Sequence, residues 1–240
     1  MNAIQTHALT RRFKEKTAVD ALELTVPEGE LFALLGVNGA GKTTTIKLLS
    51  GLLAPTAGDA EIFGVSIRSQ KVKHLLAVSP QETAVAPNLT VRENLELMAG
   101  IADASRKEAR ARAERMLDEA HLREVAEKRA KALSGGWQRR LSIAMALISE
   151  PKLLFLDEPT LGLDVLARRE LWQEIEALKG RITIVLTTHY MEEAEQLADR
   201  VGIMANGKLR VCGTPAELLA LSGKTRFEDA FVALAGGAEA

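Results

Sequence analysis

At 240 residues the chain is long enough to bury a sizeable core, as one large α/β domain or a core with a subdomain. Its 31 basic and 32 acidic residues leave a net charge of −1, which removes any global electrostatic case for a nucleic-acid or anionic-surface partner. The single cysteine, Cys212, excludes an internal disulfide framework and a cysteine-based zinc site, and neither a leader pattern nor an apolar run near the roughly 18 residues of a membrane span is present, so a soluble chain in a reducing cytosol is expected.

Residues 1–30 alternate apolar and polar positions in two runs, Ala3 to Leu9 and Ala18 to Val26, which predict an antiparallel sheet. Between them Phe13 lies in a basic turn with Arg11, Arg12 and Lys14. It is either a packing aromatic or a surface on which an adenine ring stacks. The apolar run Leu31 to Leu35 predicts a buried strand, and Thr43 to Leu53 a helix. The stretch joining them, Gly36-Val37-Asn38-Gly39-Ala40-Gly41-Lys42-Thr43, reads G-x-x-x-x-G-K-T, a phosphate-binding P-loop. Glycines let the backbone wrap an anion, and the following helix presents unpaired N–H groups and a positive dipole end. Nucleotide contacts are therefore expected from Gly36, Asn38, Gly39, Ala40, Gly41, Lys42, Thr43 and Thr44. Lys42 would reach the β- and γ-phosphates, and the Thr43 hydroxyl would complete the shell of a Mg²⁺.

Gly51 to Gly64 carries turn signals and short strands, and Leu75 to Ser79 predicts a strand running into Pro80-Gln81-Glu82. From Leu89 to Leu133 the pattern is helical, with capping boxes at Thr90-Val91-Arg92-Glu93 and Ser105-Arg106-Lys107-Glu108. The second helix, to about His121, has Ala109, Ala113, Met116 and Leu117 on one stripe; acids interspersed among Arg106, Arg110 and Arg112 argue against a nucleic-acid face. Leu133-Ser134-Gly135-Gly136-Trp137-Gln138-Arg139-Arg140 opens a helix to about Ile148, and its serine and glycines form a second anion-binding amide cluster. That second cradle lacks a second lysine, which suggests that it completes another chain's site.

The α/β pattern resumes with a strand at Leu153 to Leu156 ending in Asp157-Glu158, a helix from Val165 to Leu178, a strand from Ile182 to Leu186 and a helix from Glu192 to Ala198. Short strands follow at Val201 to Met204 and Leu209 to Cys212, then a helix from Thr214-Pro215. Ligands of open α/β sheets collect at the carboxyl ends of the strands. Gly36, Gln81, Asp157, Glu158 and His189 all fall at or just past such ends. Asp157 suits a Walker B aspartate holding Mg²⁺, and Glu158 the base or orienter for an attacking water. His189 is either polar surface or a contact to the γ-phosphate.

The ordered series of these motifs, with Gly162-Leu163-Asp164, resembles over nearly the full chain the ATP-binding subunits of ABC transporters. The resemblance implies an α/β fold: a P-loop NTPase (RecA-like) core with an N-terminal antiparallel β-subdomain and an inserted α-helical subdomain. Residues 1–88 and 150–222 would form the catalytic core, 89–149 the helical part with the signature motif, and 223–240 a tail. It matches Phe13 to the adenine-stacking aromatic, and Gln81 to the Q-loop glutamine linking Mg²⁺ and water to a transmembrane subunit. Ser134, Gly135 and Gly136 match the signature that binds γ-phosphate across a dimer, Asp164 the D-loop aspartate, and His189 the switch histidine. ATP and Mg²⁺, a second ATP-binding subunit forming a homodimer, a separate permease and no nucleic acid follow as expectations, with the chain cytoplasmic and peripheral on the inner membrane face. Trp137 stands where the family most often has glutamine, and its expected role is packing between subunits. A soluble ABC-type scaffold or remodelling ATPase is the rival reading. The motifs around Gly213-Thr214-Pro215 and Phe227 to Phe231, and a chain too short for an added carboxyl-terminal domain, point to export-type cassettes.

Overall fold

The computed structural model describes residues 1–102 and 104–236. The chain opens with β1 (Asn2–Phe13), β2 (Lys16–Leu22), β3 (Thr25–Pro27), β4 (Leu31–Leu35) and α1 (Lys42–Leu49). Then come β5 (Ala57–Ile62), β6 (Val65–Ser66), β7 (Leu76–Ser79), α2 (Val91–Ile101), α3 (Arg106–Glu119) and α4 (Gly135–Leu147). The last third holds β8 (Leu153–Asp157), α5 (Val165–Glu176), β9 (Thr183–Thr188), α6 (Met191–Leu197), β10 (Arg200–Ala205), β11 (Lys208–Gly213), α7 (Pro215–Ser222) and α8 (Phe227–Gly236).

The first sheet is antiparallel, in the order β2-β1-β5-β6 with β3 beside β1. β1 runs four residues past the expected Leu9, because Arg11, Arg12 and Phe13 pair with Val19, Thr17 and Lys16. The second sheet has the order β11-β10-β4-β9-β8-β7; all neighbours are parallel except the edge pair β10 and β11. β4, β8 and β9 are buried at every residue, as expected where a parallel sheet is covered on both faces.

Alternation along β4 divides the core. Phe32 and Leu34 face α1 and the antiparallel sheet, with Ile46, Leu48, Leu49, Ile4 and Ile62. Leu31, Ala33 and Leu35 face the other layer, with Leu171 and Ile175 of α5, Leu197 of α6, and Phe227 and Phe231 of α8. α8 lies in residues 223–240, where a tail was expected; its two buried phenylalanines anchor it to the core. α1 stops four residues before the expected Leu53, because Gly51 takes a left-handed φ of +70°.

α2, α3 and the inner face of α4 enclose a third apolar cluster, built on Val91, Leu95, Ala113, Leu117 and Leu141. The four stripe residues expected on α3, Ala109, Ala113, Met116 and Leu117, are all buried. Both capping boxes form: Thr90 with Glu93, and Ser105 with Glu108. α4 belongs to two clusters at once, giving Leu141 and Met145 to the helical one and Ile143 and Ala146 to the core.

Candidate functional site

Strand register brings the site together. Leu35 aligns with Thr188, Asp157 with Thr187, and Ser79 with Leu156, so β4, β9, β8 and β7 end on nearly one line. Gly36, His189, Glu158 and Pro80 follow immediately along that edge.

Two glycines shape the loop after β4. A Cβ on Gly36 would lie 2.4 Å from the Met204 carbonyl oxygen, so β10 packs against the loop only if position 36 has no side chain. Gly41 has φ +112°, and a Cβ there would lie 2.4 Å from the Ala18 carbonyl oxygen of β2. The loop therefore turns sharply into α1. Val37, Asn38 and Gly39 are exposed at its tip, and Ala40 is buried beneath.

Lys42, the first residue of α1, is 4% exposed. Its Nζ donates to the carbonyl oxygens of Gly36 at 2.8 Å and Val37 at 3.2 Å, and lies 3.3 Å from Glu158 Oε1. On the other side of the same carboxylate, His189 Nδ1 lies 3.3 Å from Oε2, without a well-aligned hydrogen bond. Glu158 itself holds φ +48°, a left-handed conformation that costs a non-glycine residue about 1–3 kcal/mol. Thr187 holds it there: the Glu158 N–H is within 3.1 Å of both the carbonyl and the hydroxyl oxygen of Thr187. A buried acid is thus aimed between a lysine and a histidine.

Asp157 Oδ1 accepts from the hydroxyls of Thr43 at 3.1 Å and Thr187 at 2.6 Å. The Asp157 carboxylate and the Thr43 hydroxyl are hard oxygen donors side by side at the start of α1. That set fits Mg²⁺, which takes few protein ligands and keeps water and phosphate oxygens. Thr44 follows in the first turn of α1, and Gln81 is exposed two residues past β7.

The remaining expected residues lie outside this hydrogen-bonded group. Phe13, at the end of β1, is 44% exposed, and the Arg11 guanidinium stacks on its ring at 4.5 Å. Ser134 is the N-cap of α4, yet its side chain makes no capping hydrogen bond, unlike Thr90, Ser105 and Thr214 at their helices. Ser134 and Gly135 are exposed and Gly136 half-buried, so a hydroxyl and a helix N-terminus meet at the surface. Asp164 caps α5 by accepting from the amides of Leu166 and Ala167, both at 2.9 Å.

Trp137 packs within its own chain. It is half-buried against the helical cluster, and the Arg140 guanidinium covers its ring at 4.6 Å. Both residues line a groove of about 1350 Å³ between α3, α4 and α5, away from the P-loop.

Three functional-site neighbours escape the sequence motifs. Glu193 is fully buried, four residues after His189; its Oε1 accepts from Trp172 Nε1 at 3.0 Å, and burial pushes its carboxyl up. The signal was its place four residues before Leu197, on the apolar side of α6. The Tyr190 ring lies 4.2 Å from that of His189, tilted by 40°, and the Arg168 guanidinium of α5 covers it at 4.5 Å. Arg139 of α4, 5% exposed, donates to the carbonyls of Pro80 and Gln81.

A family model described as "ABC transporter" matches residues 19–161. ABC transporter A family member 9 of Arabidopsis thaliana is 42% identical over 249 residues, which cover 96% of this chain and 26% of that protein. The daunorubicin resistance ATP-binding protein DrrA3 of Streptomyces coeruleorubidus is 40% identical over 229 residues, covering 94% of this chain and 72% of that one. The chain thus spans about a quarter of the first relative's length and under three quarters of the second's. Among solved structures, the ATP-binding cassette MJ0796, described as a dimeric post-hydrolysis state bound to ADP and Pi, superposes with a TM-score of 0.79 at 26% identity, covering 88% of this chain and 98% of that one. The matched span holds the P-loop, Gln81, the Ser134 turn and the Asp157-Glu158 pair, and the chain therefore belongs to the ABC transporter family as an ATPase domain with the P-loop NTPase fold.

Proposed function

We propose that this chain is the ATP-hydrolysing motor subunit of a transporter, closing with a second copy around two ATP molecules and driving export through a separate membrane subunit. The observation that carries this reading is the Glu158 carboxylate, buried between Lys42 and His189 and next to the Thr43 and Asp157 oxygens. Glu158 orients the attacking water and takes its proton; its left-handed backbone aims it away from Asp157, so the two acids serve different tasks. Lys42 moves from the loop carbonyls toward the β- and γ-phosphates, and His189 contacts the γ-phosphate. Thr43, Asp157 and Gln81 hold Mg²⁺, which when bound neutralises charge on the phosphates.

Gly36, Asn38, Gly39, Ala40, Gly41 and Thr44 wrap the phosphates with backbone and hydroxyl groups, and Phe13 stacks on the adenine. Ser134, Gly135 and Gly136 contact the γ-phosphate held by the opposite copy. Their exposure and the absent Ser134 cap support that assignment. The exposed Val165 and Leu166, 63% and 74% accessible beside Asp164, would be covered in the same closure. A dimeric, ADP- and Pi-bound relative supports the paired arrangement, and a relative named for drug resistance supports export. In this reading residues 1–88 and 150–222 are the catalytic core, and residues 89–149 transmit motion to the membrane partner. No helix among the described residues is long and apolar enough to cross a membrane. In this reading the chain docks on the membrane partner from the cytoplasmic side.

The test is phosphate release from Mg-ATP. Glu158→Gln should lower turnover by about 100-fold or more while ATP affinity stays within about threefold. Parental turnover in that variant would remove Glu158 from its role.

A further inference from the structure

Arg139 carries a permanent positive charge into the interior. Only 5% of it is accessible, and it forms no ion pair among the described residues. Burial pushes its pKa below the ordinary arginine value, opposed by the fields of Asp157 and Glu193. A buried charge is costly unless its donors are well used. The guanidinium uses two of them on consecutive carbonyls: Nη1 donates to Pro80 at 2.6 Å and Nη2 to Gln81. One turn further along α4, Ser142 Oγ lies 3.0 Å from Ser79 Oγ, both buried. Ser79, Pro80 and Gln81 are thus stitched in succession to one face of the helix that begins at Gly135.

We propose that Arg139 is a positioning residue for Gln81. Its planar fork fixes the backbone that carries the Gln81 side chain, and it makes that backbone move with the Ser134-Gly135-Gly136 turn, one helical turn upstream. This inference rests on the proposed ATPase reading, in which Gln81 serves Mg²⁺ and the attacking water. Apolar packing of α4 could be supplied by any long side chain at 139. Fixing two adjacent carbonyls requires a two-pronged donor.

The experiment uses the full chain with Arg139→Met, of similar length without donors, and Arg139→Lys, a single-pronged cation. Three quantities are read: ATP affinity, the Mg²⁺ dependence of ATP turnover, and amide exchange in residues 81–85. Arg139→Met should keep ATP affinity within about threefold and lower kcat by about tenfold or more, because positioning acts on the reacting state rather than on binding. It should also raise the Mg²⁺ needed for half-maximal turnover and speed exchange in 81–85, with Arg139→Lys falling between it and the parent. If Arg139→Met does not fold, Arg139→Gln takes its place with the same readouts. Parental kcat, Mg²⁺ dependence and exchange in a folded variant would overturn the proposal, as would equal losses in affinity and kcat. A parent chain that hydrolyses no ATP would instead overturn the ATPase reading.

Discussion

Nζ of Lys42 lies 3.3 Å from Oε1 of Glu158, with the two side chains only 4% and 8% exposed. Each charge therefore depends on the other for compensation. Lys42→Ala should weaken ATP binding at least about tenfold and destabilise the chain by about 3 kcal/mol, since it strands a buried carboxylate. Adding Glu158→Gln should return part of that stability, because the uncompensated charge is gone. Urea denaturation of the two single variants and the double variant measures this, and a double variant destabilised by the sum of the two single costs would mean that the pair carries no coupling.

A side chain at Gly135 would meet little in its own chain: the nearest atom to a Cβ placed there is Leu163 Cδ2, at 4.0 Å. Gly135→Asp should therefore fold with parental stability and bind ATP at its own P-loop. It places a carboxylate where the partner's γ-phosphate is proposed to sit, so turnover should fall by about 100-fold through charge repulsion. Parental turnover would contradict a shared site; lost ATP affinity would place Gly135 in its own chain's pocket.

Glu174 on α5 faces Arg140 of α4, at 2.7 Å, with Glu170 also paired to that arginine. Burial raises the Glu174 carboxyl to about 7, against the opposing pull of Arg140. The folded chain thus holds this proton more tightly than the unfolded one does. Its contribution to stability is present below the unfolded value of 4.5 and is lost as pH rises toward 7. With the side chain 24% exposed, solvent screening limits the loss to on the order of 1–2 kcal/mol. The stability of the parent relative to Glu174→Gln should fall by that amount between pH 5 and pH 8. A difference independent of pH would show that Glu174 titrates normally.

Motifs with a local cause were legible in the chain. The P-loop, both capping boxes and the buried strands β4 and β8 each follow from a few neighbouring residues, and all stand where expected. The convergence of Gly36, Asp157, Glu158 and His189 was legible through the rule that strand ends gather ligands. What stayed hidden depends on partners far along the chain. Arg139 reads as one more arginine until Pro80 and Gln81 arrive from 59 and 58 residues away. The packing of Trp137 depends on the helical cluster it lies against, and the left-handed backbone of Glu158 on Thr187 across the sheet. α8 carries its anchors, Phe227 and Phe231, in plain view, but only the packed core shows what they cover.

The central claim, that two copies close around ATP held between the P-loop of one and the Ser134 turn of the other, is tested most directly by the solution mass of Glu158→Gln. With Mg-ATP the account predicts twice the chain mass, and with ADP the mass of a single chain. A single-chain mass under both conditions would contradict it.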